Sequence, residues 1–371
     1  MITSDRLLLQ LIRCAVNPTS SNVPIIFNNT DWDHIISQSA RQGISALTID
    51  GLQNYLTSRP TSEAFANESA GSKLKRMQWI ANAIACERIY TRHKHTMACL
   101  ARTYDKANIR MMVIKGFGLS LNWPIPCHRP AGDLDIYNFG KCKEADDYIA
   151  QSYHIKIDKE HEHHTIFTFN GVMVENHYDF INTKAHRDAP AIERELKRLA
   201  QNDYTVIEVE GAPIYLPTHN FNAIFLMRHM GQHFAGEHLN LRQVLDWAFF
   251  VRANSANIDW VQVLETLHKI GLRRFSDQIN AICVDYLGFS AHSFPIFTRD
   301  TSLQERILMD ILHPEFSENK PHAGLLPVLH FKLRRWWHNR WKHTLVYKEK
   351  LLPMFITQLW SHLRRYKTIK D

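Results

Sequence analysis

Two aspartates two positions apart, Asp133 and Asp135 in Arg129-Pro-Ala-Gly-Asp-Leu-Asp-Ile136, have the type and spacing that bear most directly on chemistry. Side chains alternate along a strand, so positions i and i+2 share a face and the two carboxylates point the same way. With a third acid on an adjacent strand they can hold divalent ions against substrate phosphates, because Mg²⁺ takes hard oxygen donors and completes its shell with phosphate and water. Such a site stabilises the attacking and leaving oxygens of an in-line phosphoryl displacement, and the third carboxylate can take the acceptor's proton. Glu175, in Gly171-Val-Met-Val-Glu-Asn-His-Tyr178, is the candidate third acid, with Asp179 as a rival on the same face. A glycine turn ahead of the pair, at Lys115-Gly116, lets backbone amides approach phosphate oxygens. D-x-D alone also occurs on ordinary exposed strands and in glycosyltransferases, so the surrounding elements decide.

Those elements read as strand, helix, strand, helix, then antiparallel strands. Residues 109–114 (IRMMVI) are strand-like, 116–121 open a short helix, 133–137 (DLDIY) form a second strand and 141–151 a helix. Three short β-rich runs follow at 153–157, 165–170 and 172–178, with Asn170-Gly171 a strong hairpin signal between the last two. The order predicts a mixed sheet with helices on one side, in an α+β chain. Upstream, apolar residues at helical spacing (Leu7, Leu8, Leu11, Ile12, then Trp32, Ile35, Ile36) give a helical lead-in broken at Asn17-Pro18 and near Pro24. Residues 74–107 contain no Pro or Gly and read as one continuous helix. Downstream come a helix near 190–201, a hairpin around Glu210-Gly211 and helices from Asn220 onward, with Thr218 as a plausible N-cap.

Taken together, the Lys115-Gly116 segment, R-x-x-G-D-x-D, His164-Thr-Ile-Phe-Thr-Phe, the V-E-x-H-Y strand and Leu241-Arg-Gln-Val-Leu-Asp-Trp247 resemble the uncharacterised bacterial nucleotidyltransferase family of the DNA polymerase beta superfamily. The resemblance covers roughly residues 74–251. It implies a polymerase beta-like mixed sheet with a helical C-terminal domain as the other wall of the cleft. It implies Asp133, Asp135 and Glu175 as metal ligands for Mg²⁺ or Mn²⁺, and Lys115, Gly116, Arg129 and His177 as residues contacting the nucleotide. The implied reaction moves a nucleoside monophosphate from an NTP, ATP foremost, to a hydroxyl acceptor with release of pyrophosphate. The acceptor is a small molecule, a protein side chain or an RNA end. Phe117 stands after Gly116 where the superfamily has a second small residue, and the third acid is Glu rather than Asp. The altered turn motivates an alternative, a non-catalytic nucleotide-binding module acting through partner contacts; a phosphotransferase or a glycosyltransferase is a third reading.

Each residue also has a structural reading. Lys115 can be a solvated strand end, Arg129 a partner of Asp133, His177 a satisfied structural histidine and Asp246 a buried packing residue. Arg228 and His229 can line the cleft from the helical side. The twenty-two histidines include two clusters, His161/His163/His164 and His229/His233/His238, that invite zinc, but Met230 stands where a metalloprotease carries its Glu.

Length and composition bound the rest. At 371 residues the chain exceeds the usual growth of one core. The expected units are 1–73 (helical lead-in), 74–216 (nucleotidyltransferase domain), 217–330 (helical domain) and 331–371 (basic aromatic tail). Six scattered cysteines suit reduced thiols rather than a disulfide framework. No apolar run approaches a membrane span, and the N-terminus lacks a signal-peptide pattern, so a cytoplasmic location is expected. Of the net charge of +7, residues 331–371 carry +9 and the remainder −2, so the basic character belongs to the tail. Its run FKLRRWWHNRWKH suits a packed amphipathic helix, an anionic membrane surface or nucleic acid.

Overall fold

The computed structural model describes residues 3–17, 32–57, 70–184, 186–318, 321 and 325–355. Pro18 and Pro24 lie outside these residues, as does the C-terminal end of the basic tail beyond residue 355.

The lead-in is helical: α1 (Thr3–Val16), α2 (Trp32–Arg41) and α3 (Ser45–Thr57). Helices α1 and α3 approach so closely at Gly51 that a Cβ there would lie 1.9 Å from the Leu11 carbonyl oxygen. Only glycine lets these two backbones meet. The expected long helix forms without a break as α4 (Ala70–Lys106), and Asn108, at φ 55°, turns the chain into the sheet.

Strands β1 (Met112–Val113), β2 (Leu134–Tyr137), β3 (His164–Phe169), β4 (Val172–His177), β5 (Tyr204–Val209) and β6 (Ala212–Pro217) make one six-stranded mixed sheet in the order β3-β4-β2-β1-β6-β5. Between them lie the short α5 (Gly116–Ser120), α6 (Cys142–Tyr153) and α7 (Ala189–Asn202). Asn170 and Gly171, at φ 47° and 73°, close the expected β3–β4 hairpin; Glu210 and Gly211, at 51° and 75°, close β5–β6. Positive φ at both central residues matches the twist of the strands they join.

Two expectations are corrected. The run 153–157 is not a strand: Tyr153 ends α6, His154 takes a left-handed conformation (φ 55°) that turns the chain aside, and a single bridge from Asp158 to Ile166 is the pairing left. Helices also cover both faces of the sheet rather than one. Leu134, Ile136 and Val174 pack on Leu100 and Tyr104 of α4 and Ile149 of α6. On the opposite face, Tyr137 joins Phe180, α7 and the C-terminal helices in one large core. The chain after Pro217 folds back over the sheet.

That C-terminal half comprises α8 (His219–Gly236), α9 (Leu241–Asn254), α10 (Trp260–Lys269), α11 (Arg273–Asp285), α12 (Thr301–Leu312), α13 (Leu325–His338) and α14 (Arg340–Val346). Thr218 caps α8, its hydroxyl accepting from the Phe221 amide at 3.2 Å. Helix α9 starts with a reciprocal capping box between Asn240 and Gln243. Phe221, Phe225, Phe234, Trp247, Phe249 and Phe250 are all essentially buried, each contributing roughly 1.5–3 kcal/mol by leaving water. The lead-in joins this core, with Gln42 bridging it to both α9 and α12: its Oε1 accepts from the Leu241 amide and its Nε2 donates to the Ile311 carbonyl. Part of the tail joins as well. Lys342 is buried and pairs with buried Asp310 at 2.6 Å, while Trp336 and Trp341 are half-buried and Trp337 is exposed. Among the described residues no helix is long and apolar enough to cross a membrane.

Candidate active site

Strands β2 and β4 run parallel, and their register sets Asp135 beside Glu175 and Tyr137 beside His177. Alternation then puts Glu175 and His177 on one face of β4, and the parallel pairing puts Asp135 on that same face, toward the C-terminal helices. His177 Nε2 lies 3.0 Å from Asp135 Oδ1 and 3.6 Å from Glu175 Oε2. Lys115, at the end of β1, reaches the same Asp135 oxygen with Nζ at 2.8 Å. Asp135 is only 3% exposed. The hairpin completes the group by setting His164 opposite His177, with His164 Nε2 4.0 Å from Glu175 Oε1. Glu175, not Asp179, is thus the acid brought to Asp135; Asp179 lies beyond β4, ion-paired with Lys197.

The electrostatics follow from crowding. Burial alone would raise the Asp135 carboxyl, but Lys115 and His177 hold it well below the usual carboxylate range. Burial also opposes ionisation of Glu175, and His177, His164 and Lys115 together more than offset it, leaving that carboxyl below its ordinary value. His177 itself is raised, since hydrogen bonds to Asp135 and Glu175 outweigh burial. Lys115 is raised in the same way, the attraction of Asp135 and Asp133 exceeding the effect of burial. The neighbouring imidazoles go the other way: burial lowers His163 to about 3 and His164 to about 4.

Asp133 is placed differently. Strand β2 begins at Leu134, so alternation governs Asp135 alone, and Asp133 lines an adjoining pocket. A small cavity of about 20 Å³ lies there between Gly116, Phe117 and Arg129 on one side and Tyr90 and Lys94 of α4 on the other. Burial and the Asp135 charge push the Asp133 carboxyl up. Gly116, at φ +45°, turns the chain beside Asp133; the left-handed conformation favours glycine. Tyr90 and Lys94 were not read from the sequence as site residues. Their four-residue spacing on the long helix is the signal, since it puts both on one face.

Arg129 turns away from Asp133. Its Nε and Nη2 donate to the two carboxylate oxygens of Asp246 at 2.7 and 2.9 Å, and Nη1 donates to the Pro130 carbonyl. Trp123 Nε1 donates to the same Asp246 at 2.9 Å, so Asp246 does make the buried hydrogen bonds expected of it. Arg242, one turn before Asp246, feels the charges of Asp133 and Asp135, and its Nε is buried without a hydrogen-bond partner. From α8, His229 senses Lys115 and Asp135 and is held neutral well below its usual range, chiefly by burial. Arg228 instead stacks its guanidinium on Tyr347, 5.1 Å from the ring centre.

The site's donors suit a divalent cation. Ligand atoms of Asp135, Glu175 and His177 lie within 4.8 Å of one another, as do those of His163, His164 and His177. Carboxylate oxygens fit Mg²⁺, and the added imidazole extends the fit to Mn²⁺ and zinc. Among the described residues, His229, His233 and His238 form no such group.

The sequence profile of a family described as uncharacterised nucleotidyltransferase matches residues 28–288, more than half of the chain. No curated protein matches it. Among solved structures, an antigenic nucleotidyltransferase-like protein from Paracoccidioides brasiliensis is similar at 13% identity and a TM-score of 0.30, over 43% of this chain and 74% of that one.

Proposed function

Because this chain belongs to the uncharacterised nucleotidyltransferase family, we propose that it moves a nucleoside monophosphate from an NTP, ATP foremost, to a hydroxyl acceptor with release of pyrophosphate. The observation that supports this most is the parallel register that sets Asp135 beside Glu175, with Lys115 Nζ 2.8 Å from Asp135. Asp135 and Glu175 would hold a divalent cation, with Asp133 facing the adjoining pocket. When bound, Mg²⁺ or Mn²⁺ supplies Lewis-acid stabilisation of charge on the transferring phosphate.

The protein's own groups do the rest. Glu175, kept ionised by His177, accepts the proton of the attacking hydroxyl. The Lys115 ammonium turns from Asp135 Oδ1 to a phosphate oxygen as substrate arrives, so its charge is never left unpaired. The pocket beside Asp133, about 20 Å³ as it stands, would have to open to take the rest of the nucleotide, with Lys94 and the rings of Tyr90 and Phe117 in its wall. Arg129 serves by fixing its loop through Asp246 rather than by gripping phosphate. His229 stays neutral at the helical wall of the cleft.

One observation favours a second reading, a nucleotide-binding module without turnover: Lys115 and His177 already crowd Asp135 Oδ1, where a cation would have to bind. The two readings separate in one experiment. Purified protein is given each of the four NTPs with Mg²⁺ or Mn²⁺ and a panel of acceptors, and pyrophosphate release and label transfer are followed. Release that vanishes in Asp133→Ala/Asp135→Ala supports transfer. Metal-dependent binding without release supports the module, and absence of binding removes both.

A further inference from the structure

A second group of ligand-type side chains lies outside the carboxylate site, where the turn before Arg129 meets the lead-in and the long helix. Ligand atoms of Glu87, Cys127 and His128 lie within 4.8 Å of one another. His128 is held between two acids: Nδ1 is 2.7 Å from Asp50 Oδ2 of α3, and Nε2 is 2.9 Å from Glu87 Oε1 of α4. The His128 and Asp50 side chains are 11% and 14% exposed. Cys86, beside Glu87, donates through Sγ to the Cys127 carbonyl at 3.5 Å.

We propose that Glu87, Cys127 and His128 bind a zinc ion, with Asp50 as the carboxylate that orients the histidine. Sulfur, nitrogen and oxygen donors in one cluster are the set that zinc accepts and that Mg²⁺ and Ca²⁺ do not favour. The Asp50 contact has a specific meaning here: a ligating imidazole almost always donates its other N–H to a carboxylate, which fixes tautomer and ring orientation and leaves the free nitrogen for the metal. His128 Nδ1 faces Asp50 in that way, and Nε2 points into the group containing Glu87 and Cys127. Without metal, His128 bridges Asp50 and Glu87 through its two ring nitrogens, an arrangement that makes no use of Cys127. With zinc, bonds form to Cys127 Sγ, His128 Nε2 and Glu87, and the displaced thiol and imidazole protons pass to solvent. Water takes the fourth position. The ion would clasp α3 and α4 to the turn that leads directly into Arg129.

Cobalt and zinc binding to the whole protein tests this. Protein kept reduced and stripped with chelator is titrated with Co²⁺, then with Zn²⁺ in competition. A sulfur-to-cobalt charge-transfer band that zinc abolishes is expected. That band should persist in Asp135→Asn, which separates it from any metal at the carboxylate site, and should disappear in Cys127→Ser. Cys127→Ser keeps both ion pairs of His128, and an unchanged circular dichroism spectrum shows that it folds. Asp50→Asn should weaken zinc roughly 10- to 100-fold. No thiolate band in the wild type, or a band that survives Cys127→Ser, overturns the proposal and leaves His128 as a structural link between Asp50 and Glu87.

Discussion

Two charged clusters, one around Arg129 and one around Asp135, stand six residues apart in sequence and are built to opposite rules. Around Arg129 the arrangement is closed. The guanidinium meets Asp246 with a two-pronged contact, donates a third N–H to Pro130, and shares Asp246 with Trp123. Around Asp135 it is open. Lys115 and His177 converge on a single oxygen, while Glu175 and Asp133 bring further acids toward the same place. A closed cluster has its charges answered within the protein, and its geometry is kept chiefly for the structure it holds. An open one keeps donors and uncompensated negative charge in reserve, which costs stability unless a cation or substrate joins it.

The comparison can be broken by removing one member from each side. Arg129→Met leaves Asp246 with Trp123 as hydrogen-bond donor and Arg242 as the nearby charge, and breaking a buried pair costs about 3–5 kcal/mol. Denaturant unfolding should show that loss, and Asp246→Asn added to Arg129→Met should recover part of it. If Arg129→Met unfolds at the wild-type midpoint, the closed cluster is not holding the loop.

On the open side the effect should appear in activity and not in folding. The Asp133 carboxyl is raised by burial and by Asp135, so its ionised form costs stability at neutral pH and is relieved when the charge is removed. Asp133→Asn should therefore unfold at an equal or higher midpoint, by up to about 1 kcal/mol. Pyrophosphate release should meanwhile fall on the order of 10²- to 10³-fold, the scale on which a lost group that stabilises transition-state charge is felt. A variant that loses stability and activity together would place Asp133 with Arg129, in the structural class.

How much of this contrast is legible in the sequence depends on the range over which each feature is determined. Asp135 and Glu175 are readable because strand alternation is local, and the Asn170-Gly171 turn is readable because few residues tolerate its dihedral angles. A two-residue turn there also fixes the register, Phe169 opposite Val172 and so His164 opposite His177, which brings the histidine group to Glu175 without further information. Asp133 is less readable by the same reasoning, since alternation cannot say that the strand starts one residue later, at Leu134. The run 153–157 looks like a strand because propensity does not register the left-handed turn at His154. Arg129 with Asp246, and His128 with Asp50 and Glu87, join positions far apart in sequence that no periodicity links. The helices over the second sheet face are hidden in the same way, because amphipathic spacing gives a helix's buried side and not the surface it is buried against.

Acid gives the smallest effect and the sharpest separation of the two clusters, because only the open one contains histidines. Burial lowers His163 to about 3 and His164 to about 4, so both stay neutral in the folded chain while their unfolded counterparts take protons near 6.5. Their contribution to stability is present above 6.5 and is lost as pH falls from there toward the folded values. His177 is shifted upward, so its contribution is complete below 6.5 and declines only as pH rises through its folded value; His229 and Glu175, both held low, add to the loss toward acid. Unfolding free energy measured from pH 7 to pH 4 should fall, and His163→Gln should flatten that fall by about 2 kcal/mol, allowing for its partial exposure to solvent. Arg129→Met should lower stability by a similar amount at every pH in the window, since the guanidinium is charged throughout. A slope that follows Arg129 rather than His163 would mean that acid opens the closed cluster first, and the division between the two would then fail.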